Sequence, residues 1–312
     1  MGLANVYPIG AITKNSAGTE LAAIASMKEA GVVAISDDGK PVMNARVIRR
    51  AMELARSSNL PVIEHCEDLH LSAGGDMHEG VQSTRLGLRG IPRASEDVMV
   101  ARDILLAELT GARYHVAHIS SGNAVEMVAF AKSKGLPVTA EATPHHFALA
   151  DDDMPPYDSN YKMKPPLRDN SDVSAITEGL ANGTIDAIAT DHAPHPGAEK
   201  MQEFERCPFG ILGFETALGL ALERLYHTGR IDLTHLVSLF TENPARILSL
   251  PKGTLKHGAA ADVTLFGLEH EWTYDVTRSP SKSRNSPFHG HKFKGGQVAT
   301  MVRGQIVWRL NS

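Results

Sequence analysis

The sequence predicts an α/β fold, a (β/α)8 TIM-type barrel carrying a small C-terminal β appendage. Three observations predict it. Short apolar runs alternate with amphipathic stretches at helical spacing, the rhythm of repeated strand–helix units around a parallel sheet. Acids and histidines collect just past the C-terminal ends of the apolar runs, where a barrel builds its active site. From about residue 253 the pattern gives way to Gly-rich sequence with short strand-like pieces. The expected organisation is therefore a catalytic barrel region over 1–252 and a β appendage over 253–312. A doubly wound sheet would also place ligands at strand carboxyl ends, but it needs a glycine-rich phosphate turn, and none follows the first strand.

In chain order the predicted strands are "NVYPIGAI", "GVVAIS", "LPVIEH", "RYHVAHI", "LPVTAEA" and "IDAIAT". The predicted helices between them are "GTELAAIASMKEA", "NARVIRRAMELARSS", "ASEDVMVARDILLAELTG", "NAVEMVAFAKSKG" and "NSDVSAITEGLANG". Several close on Gly or Asn, the residues that tolerate a left-handed cap. Two further helices are expected in "FETALGLALERLYHTG" and "DLTHLVSLFTENPARILSL". The appendage is expected to hold strands in "ADVTLFGL", "EWTYD" and "VATMVRGQIVWRL". Only six barrel strands are readable, against the eight that close a barrel.

Composition excludes several classes. A net charge of −5 leaves no basic footprint for nucleic acid. Two cysteines, Cys66 and Cys207, make no disulfide framework and fit a reducing cytosol, so a cytoplasmic location is expected. No apolar run reaches the ~18 residues of a membrane span. The start "MGLANVYPIG" has no basic region ahead of an apolar core, as a signal peptide would, and Val6 stands where a myristoylation signal carries Ser or Thr. Fifteen histidines are the unusual entry, and they direct attention to metal chemistry.

Taken singly, each polar residue has a structural reading. Asp37-Asp38-Gly39 spells a turn. His65 and His118 are each ordinary as hydrogen-bonded rim residues. Asp191 is placed to cap a helix. His145 and His146 point opposite ways if the segment is extended. Cys66 reads as a small packed residue on the face away from His65. Recurrence shifts the balance, because Asp, His, His and Asp end four of six strands. Imidazole and carboxylate together suit Zn²⁺.

The motifs "ISDDGKPV", "IEHCED", "HVAHISS", "VTAEATPHH", "YKMKPPLRDN", "IATDHAPH", "CPFGILGFET" and "SRNSPFHGHKFKGGQV" run along the whole chain. In these the sequence resembles the amidohydrolase superfamily and, within it, the bacterial class I dihydroorotases. That resemblance implies a zinc-dependent, reversible hydrolysis of the cyclic amide of dihydroorotate to N-carbamoyl-aspartate, a step of pyrimidine synthesis. It implies Asp38 as the carboxylate bridging two zinc ions, with Asp37 as the alternative, and His65 and His118 as imidazole ligands. It further implies Asp191 as a ligand of the other zinc and the carrier of the proton. His195 and the backbone at Phe209-Gly210 match positions that hold the substrate ring and its carboxylate. Lys164 stands where the family commonly has a substrate-contacting Asn.

One departure is larger. The family's first strand carries H-x-H and a nearby Arg, which hold the first zinc and the substrate carboxylate. No H-x-H stands at the N-terminus, and the "HGH" at 289–291 lies in the appendage. The chain thus reads as a dihydroorotase lacking its first two β-α units, with at most one zinc expected and little activity on its own. Alternatives are a non-catalytic subunit of an aspartate transcarbamoylase complex, or a hydantoinase or allantoinase. The retained Asp38, His65, His118 and Asp191 argue against the first. "TDHAPH" and "SRNSPF" argue against the second. A homodimer or an aspartate transcarbamoylase partner is what the resemblance implies for assembly.

Overall fold

The computed structural model describes residues 3–310, so the Met1-Gly2 start lies outside it. Six parallel strands appear in the predicted order: β1 (Ile9–Gly10), β2 (Ala34–Ile35), β3 (Val62–Glu64), β4 (Tyr114–Val116), β5 (Val138–Ala142) and β6 (Ala187–Ile188). Each lies beside its predecessor, from β1 through β6. This is the order of a barrel wall; a doubly wound sheet would reverse at a switch point. The strands are shorter than the apolar runs because the ladder thins at its ends into single bonds. Ser36 N donates to Gly10 O, Ile119 N to Glu141 O and Ala189 N to Ala142 O. Among the described residues, β1 pairs only with β2 and β6 only with β5.

Helices follow the strands, as the right-handed crossover requires. They are α1 (Ile24–Glu29), α2 (Ala45–Ser57), α3 (Ala94–Thr110), α4 (Gly122–Ser133) and α5 (Asn170–Ala181). Asn44 caps α2 by accepting from Arg46 N and Val47 N, and Asp169 caps α5 by accepting from Ser171 N and Asp172 N. Gly111, Gly135 and Gly183 take left-handed φ values just past α3, α4 and α5, as the endings suggested. One continuous apolar core joins sheet and helices, including Ile35, Val62, Tyr114, Val116, Ile176 and Leu180.

Four elements differ from expectation. The first helix starts only at Ile24, since Ala22 N donates back to Ile12 O and Lys14 N to Glu20 O, folding the preceding residues into a turn. The stretch 214–229 is an α-turn, Ala217–Ala221, that continues as a π-turn over Leu222–Tyr226. The stretch 232–250 breaks into Leu233–Phe240 and Glu242–Ile247, because Pro244 has no N–H to offer Phe240 and fits only the first turn of a new helix. "PHHFA" is a short helix rather than an extended segment, started by Pro144, so His145 and His146 lie with ring centroids 4.5 Å apart instead of on opposite faces. Among the described residues no helix is long and apolar enough to cross a membrane.

Near the C-terminus, β7 (Val263–Thr273), β8 (Lys292–Val302) and β9 (Gln305–Arg309) form an antiparallel sheet in the order β9-β8-β7. "ADVTLFGL" and "EWTYD" thus belong largely to one strand. Phe293 of β8 is 1% exposed and stacks on Trp272. A Cβ on Gly219 would come within 2.7 Å of the Phe293 ring, so the glycine lets helix 217–221 approach the sheet. Phe293→Ala should cost about 3–5 kcal/mol of stability, read as a lowered urea midpoint with an unchanged slope. A shift equivalent to less than about 1 kcal/mol would show that this contact does not join the sheet to the barrel.

Candidate metal centre and substrate subsite

The polar residues picked out by sequence stand past the strand ends: His65 one residue after β3, His118 two after β4, Asp38 three after β2 and Asp191 three after β6. His118 and Asp191 have φ values of 33° and 44°, a left-handed conformation that costs energy for both residue types. The backbone after β4 is held there from behind. The buried Glu96 carboxylate accepts from Ser120 N at 2.8 Å and Ser121 N at 3.1 Å, and Arg168 of "PPLR" braces Glu96 at 3.3 Å.

Three of the residues converge. His65 Nδ1 lies 3.0 Å from His118 Nε2, which lies 3.4 Å from Asp38 Oδ1; that oxygen is 3.9 Å from His65 Nδ1. Both imidazoles are buried, while the Asp38 side chain is open to solvent. Asp37 is placed elsewhere. Its buried carboxylate accepts from Ile12 N at 2.8 Å, from Thr13 N and from the Thr13 hydroxyl, tying β2 to the chain after β1. Asp191 lines the same cavity of ≈ 360 Å³ as Asp38 and His118, with Ile9, Ile63 and Ala187 on its apolar side.

Charge follows from this packing. The Asp38 carboxyl is held down to about 2, chiefly by its hydrogen bond with His118. Burial pulls the His118 imidazole down, but the Asp38 hydrogen bond and the charges of Asp191 and Asp38 outweigh it and raise it to about 9. Burial, assisted by the nearby Asp38 charge, raises Asp191 despite the pull of His118. At neutral pH the metal-free centre is therefore an imidazolium–carboxylate pair beside a carboxylate that takes up protons more readily than usual.

Two residues of this neighbourhood escaped the sequence reading. Glu67 Oε2 lies 2.8 Å from His65 Nε2, and its other oxygen accepts from Lys164 Nζ at 2.6 Å. Burial pushes Glu67 up, yet hydrogen bonds from His65, Lys164 and Ser72 bring it down to about 2. The signal lay in "EHCED": two residues apart on an extended segment, His65 and Glu67 share a face. Glu141 is the second, 3.1 Å from His115 Nε2 on the wall of the same cavity. Cys66 is buried, 3.0 Å from the Tyr114 hydroxyl.

The donor set fits a zinc ion. With zinc–ligand bonds of about 2.0–2.1 Å, tetrahedral ligand atoms sit about 3.3 Å apart, close to the spacings between these three atoms. The Glu67 carboxylate on the far nitrogen of His65 is the usual orienting partner of a metal-binding imidazole. A second cluster, His78 with Asp169 and Asp172, is a poorer candidate. Arg93 already occupies Asp172 at 2.6 Å and also pairs with Asp169. The "HGH" histidines serve the C-terminal region: Val276 N donates to His289 Nδ1 at 3.2 Å, and His291 Nε2 lies 2.7 Å from Glu223.

The remaining residues form a neighbouring group. His195 Nε2 donates to Phe209 O at 2.7 Å. Gly210 has φ of 124°, and a Cβ there would lie 2.5 Å from Ala193 Cβ and 3.0 Å from His195 Nε2, so no side chain fits. The Lys164 ammonium lies 4.9 Å from the centre of the Phe209 ring, linking this group to Glu67 and so to His65.

Comparison with known proteins agrees with the fold. The family model described as dihydro-orotase-like matches residues 2–124. A dihydroorotase of Solibacter usitatus is 69% identical over 308 residues, which are 99% of this chain and 72% of the relative. A dihydroorotase of Pelotomaculum thermopropionicum is 54% identical over 98% of this chain and 72% of its own length. Among solved structures, an L-hydantoinase from Arthrobacter aurescens superposes with a TM-score of 0.85 at 26% identity, covering 98% of this chain and 70% of that one. A D-hydantoinase from a Thermus species, at 22% identity and a TM-score of 0.79, shares the fold. The chain belongs to the dihydroorotase family, hydrolases of cyclic amides built on the TIM-type amidohydrolase barrel.

Proposed function

We propose that Asp38, His65 and His118 hold a zinc ion, and that Asp191 carries the proton in the reversible hydrolysis of dihydroorotate to N-carbamoyl-aspartate. The observation that carries this reading is the convergence of one carboxylate oxygen and two ring nitrogens at near-tetrahedral spacing. A zinc ion held by these residues would supply a water of lowered pKa and a Lewis acid for the ring amide carbonyl. Asp191, raised by burial, accepts the proton of the attacking water and returns it to the leaving ring nitrogen. Glu67, on Nε2, fixes the His65 ring with Nδ1 on the side of His118 and Asp38, where it would be free to hold the metal. His195 and the backbone at Phe209-Gly210 hold the ring and its carboxylate. Lys164, between Glu67 and the Phe209 ring, adds positive charge beside that subsite. The dihydroorotases at 54–69% identity favour dihydroorotate over hydantoin as the substrate.

Zinc binding should depend on pH with a definite sign. His118 is protonated in the metal-free protein until about pH 9, and zinc must expel that proton. Affinity should therefore rise about tenfold from pH 7 to pH 8 and level off above pH 9. Competition with a chelator across that range measures it. Affinity independent of pH, or unchanged in His118→Ala, would remove His118 from the ligand set.

Asp191→Asn keeps the shape and loses the proton acceptor. In the chain extended by the H-x-H strand that the family carries, turnover of dihydroorotate should fall by roughly 10²–10⁴-fold, while zinc at the His65–His118 centre and the melting temperature stay near those of the same chain with Asp191. Near-normal turnover with an intact fold would sink the role given to Asp191.

A further inference from the structure

We infer that Asn285, from "SRNSPF", is a positioning residue that staples together the two segments forming the substrate subsite. The inference rests on the reading that His195 and Phe209-Gly210 hold the substrate. Asn285 lies in the segment between β7 and β8, about ninety residues beyond His195, and is 3% exposed. Its Nδ2 donates to Ala193 O at 2.9 Å and to Gly210 O at 3.0 Å. Its Oδ1 accepts from His195 N at 3.2 Å, and its backbone carbonyl accepts from Leu212 N at 2.9 Å. One side chain thus grips the 191–195 segment twice and the 209–212 segment once, while its own backbone grips the latter again.

The chemistry demands an amide. Two carbonyls must receive protons and one N–H must give one, and of the small side chains only Asn supplies two donors and an acceptor at that reach. The partners also fix which end of the amide is which. The segments it joins have other links: Ala193 N donates to Ile211 O at 2.9 Å, and Lys200 Nζ donates to Gly210 O at 3.2 Å from another side. The 191–195 segment begins at the left-handed Asp191 and, before the short helix at Gly197–Lys200, holds only an isolated parallel β-bridge from His192 to Ile211. Its geometry at His195 is therefore set by what it bonds to, and Asn285 supplies three of those bonds to the pair of segments. No ligand atom of the zinc centre touches Asn285, so its removal acts on substrate holding rather than on metal.

The test compares Asn285→Ala, Asn285→Asp and His195→Ala by hydrogen exchange, zinc content and dihydroorotate kinetics. Asn285→Asp keeps the size and the acceptor for His195 N but sets a carboxylate oxygen against two carbonyls. In both Asn285 variants the amides of Ala193, His195 and 210–212 should exchange about tenfold to a hundredfold faster, with the rest of the barrel at wild-type rates. KM should rise about tenfold, kcat should fall less than KM rises, and zinc content should stay the same. His195→Ala sets the scale: if it leaves KM unchanged, the subsite reading has failed. If His195→Ala raises KM while both Asn285 variants keep wild-type KM and exchange, the staple is overturned. Exchange that rises evenly over the whole chain, or a variant that does not fold beside another that folds with wild-type KM, would likewise reduce Asn285 to a general stabilising role and overturn it.

Discussion

The site depends on the register between β3 and β4. Val62 pairs with Tyr114 and Glu64 with Val116, so His65 and Ala117 leave the sheet side by side. His118 comes one residue later, and its left-handed φ turns the chain so that its ring meets His65 edge to face at 4.8 Å. Because side chains alternate along a strand, a slip of one residue would send either imidazole into the helical layer. The register is secured by what is buried behind it: Val62, Tyr114 and Val116 pack in the main core, and each strand is pinned on both sides. The chemistry is thus a by-product of apolar packing that leaves the strands no other alignment.

Charge is arranged around that pair with equal economy of parts. Without metal, the buried imidazolium of His118 is balanced by Asp38, and the His65 ring is held on its far nitrogen by Glu67. Glu67 is balanced in turn by Lys164, which reaches from the cis-proline loop following the fifth strand. Without those partners burial would raise the Glu67 carboxyl and weaken its hold on the ring. The chain from Lys164 through Glu67 and His65 to His118 and Asp38 therefore couples the proposed substrate side of the site to the proposed metal side.

The sequence disclosed the barrel because its strands are continuous apolar runs and its helices carry Asn44 and Asp169 as caps, both local signals. The placement of Asp38, His65, His118 and Asp191 past the strand ends was legible for a related reason: each follows closely on such a run. What escaped depends on contacts distant in the chain or on turns that period alone does not encode. Asn285 meets Ala193, His195 and Gly210 across 75 to 92 residues, and no spacing rule reports that. The sequence left Asp37 beside Asp38 as a bridging carboxylate, and the contact that ties up Asp37 comes from Thr13, 24 positions earlier, whose amide and hydroxyl donate to it. The pair His145–His146 was misread because an extended run was assumed where Pro144 starts a helical turn. Glu67 is the exception, since its position two residues from His65 already placed it on the same face.

The most direct test of the central claim is zinc K-edge X-ray absorption on the protein loaded with one equivalent of metal. The account predicts a shell of nitrogen and oxygen neighbours at about 2.0–2.1 Å with the outer scattering of two imidazoles, one of which is lost in His65→Ala. A spectrum with sulfur neighbours, with no imidazole scattering, or unchanged by His65→Ala would contradict it.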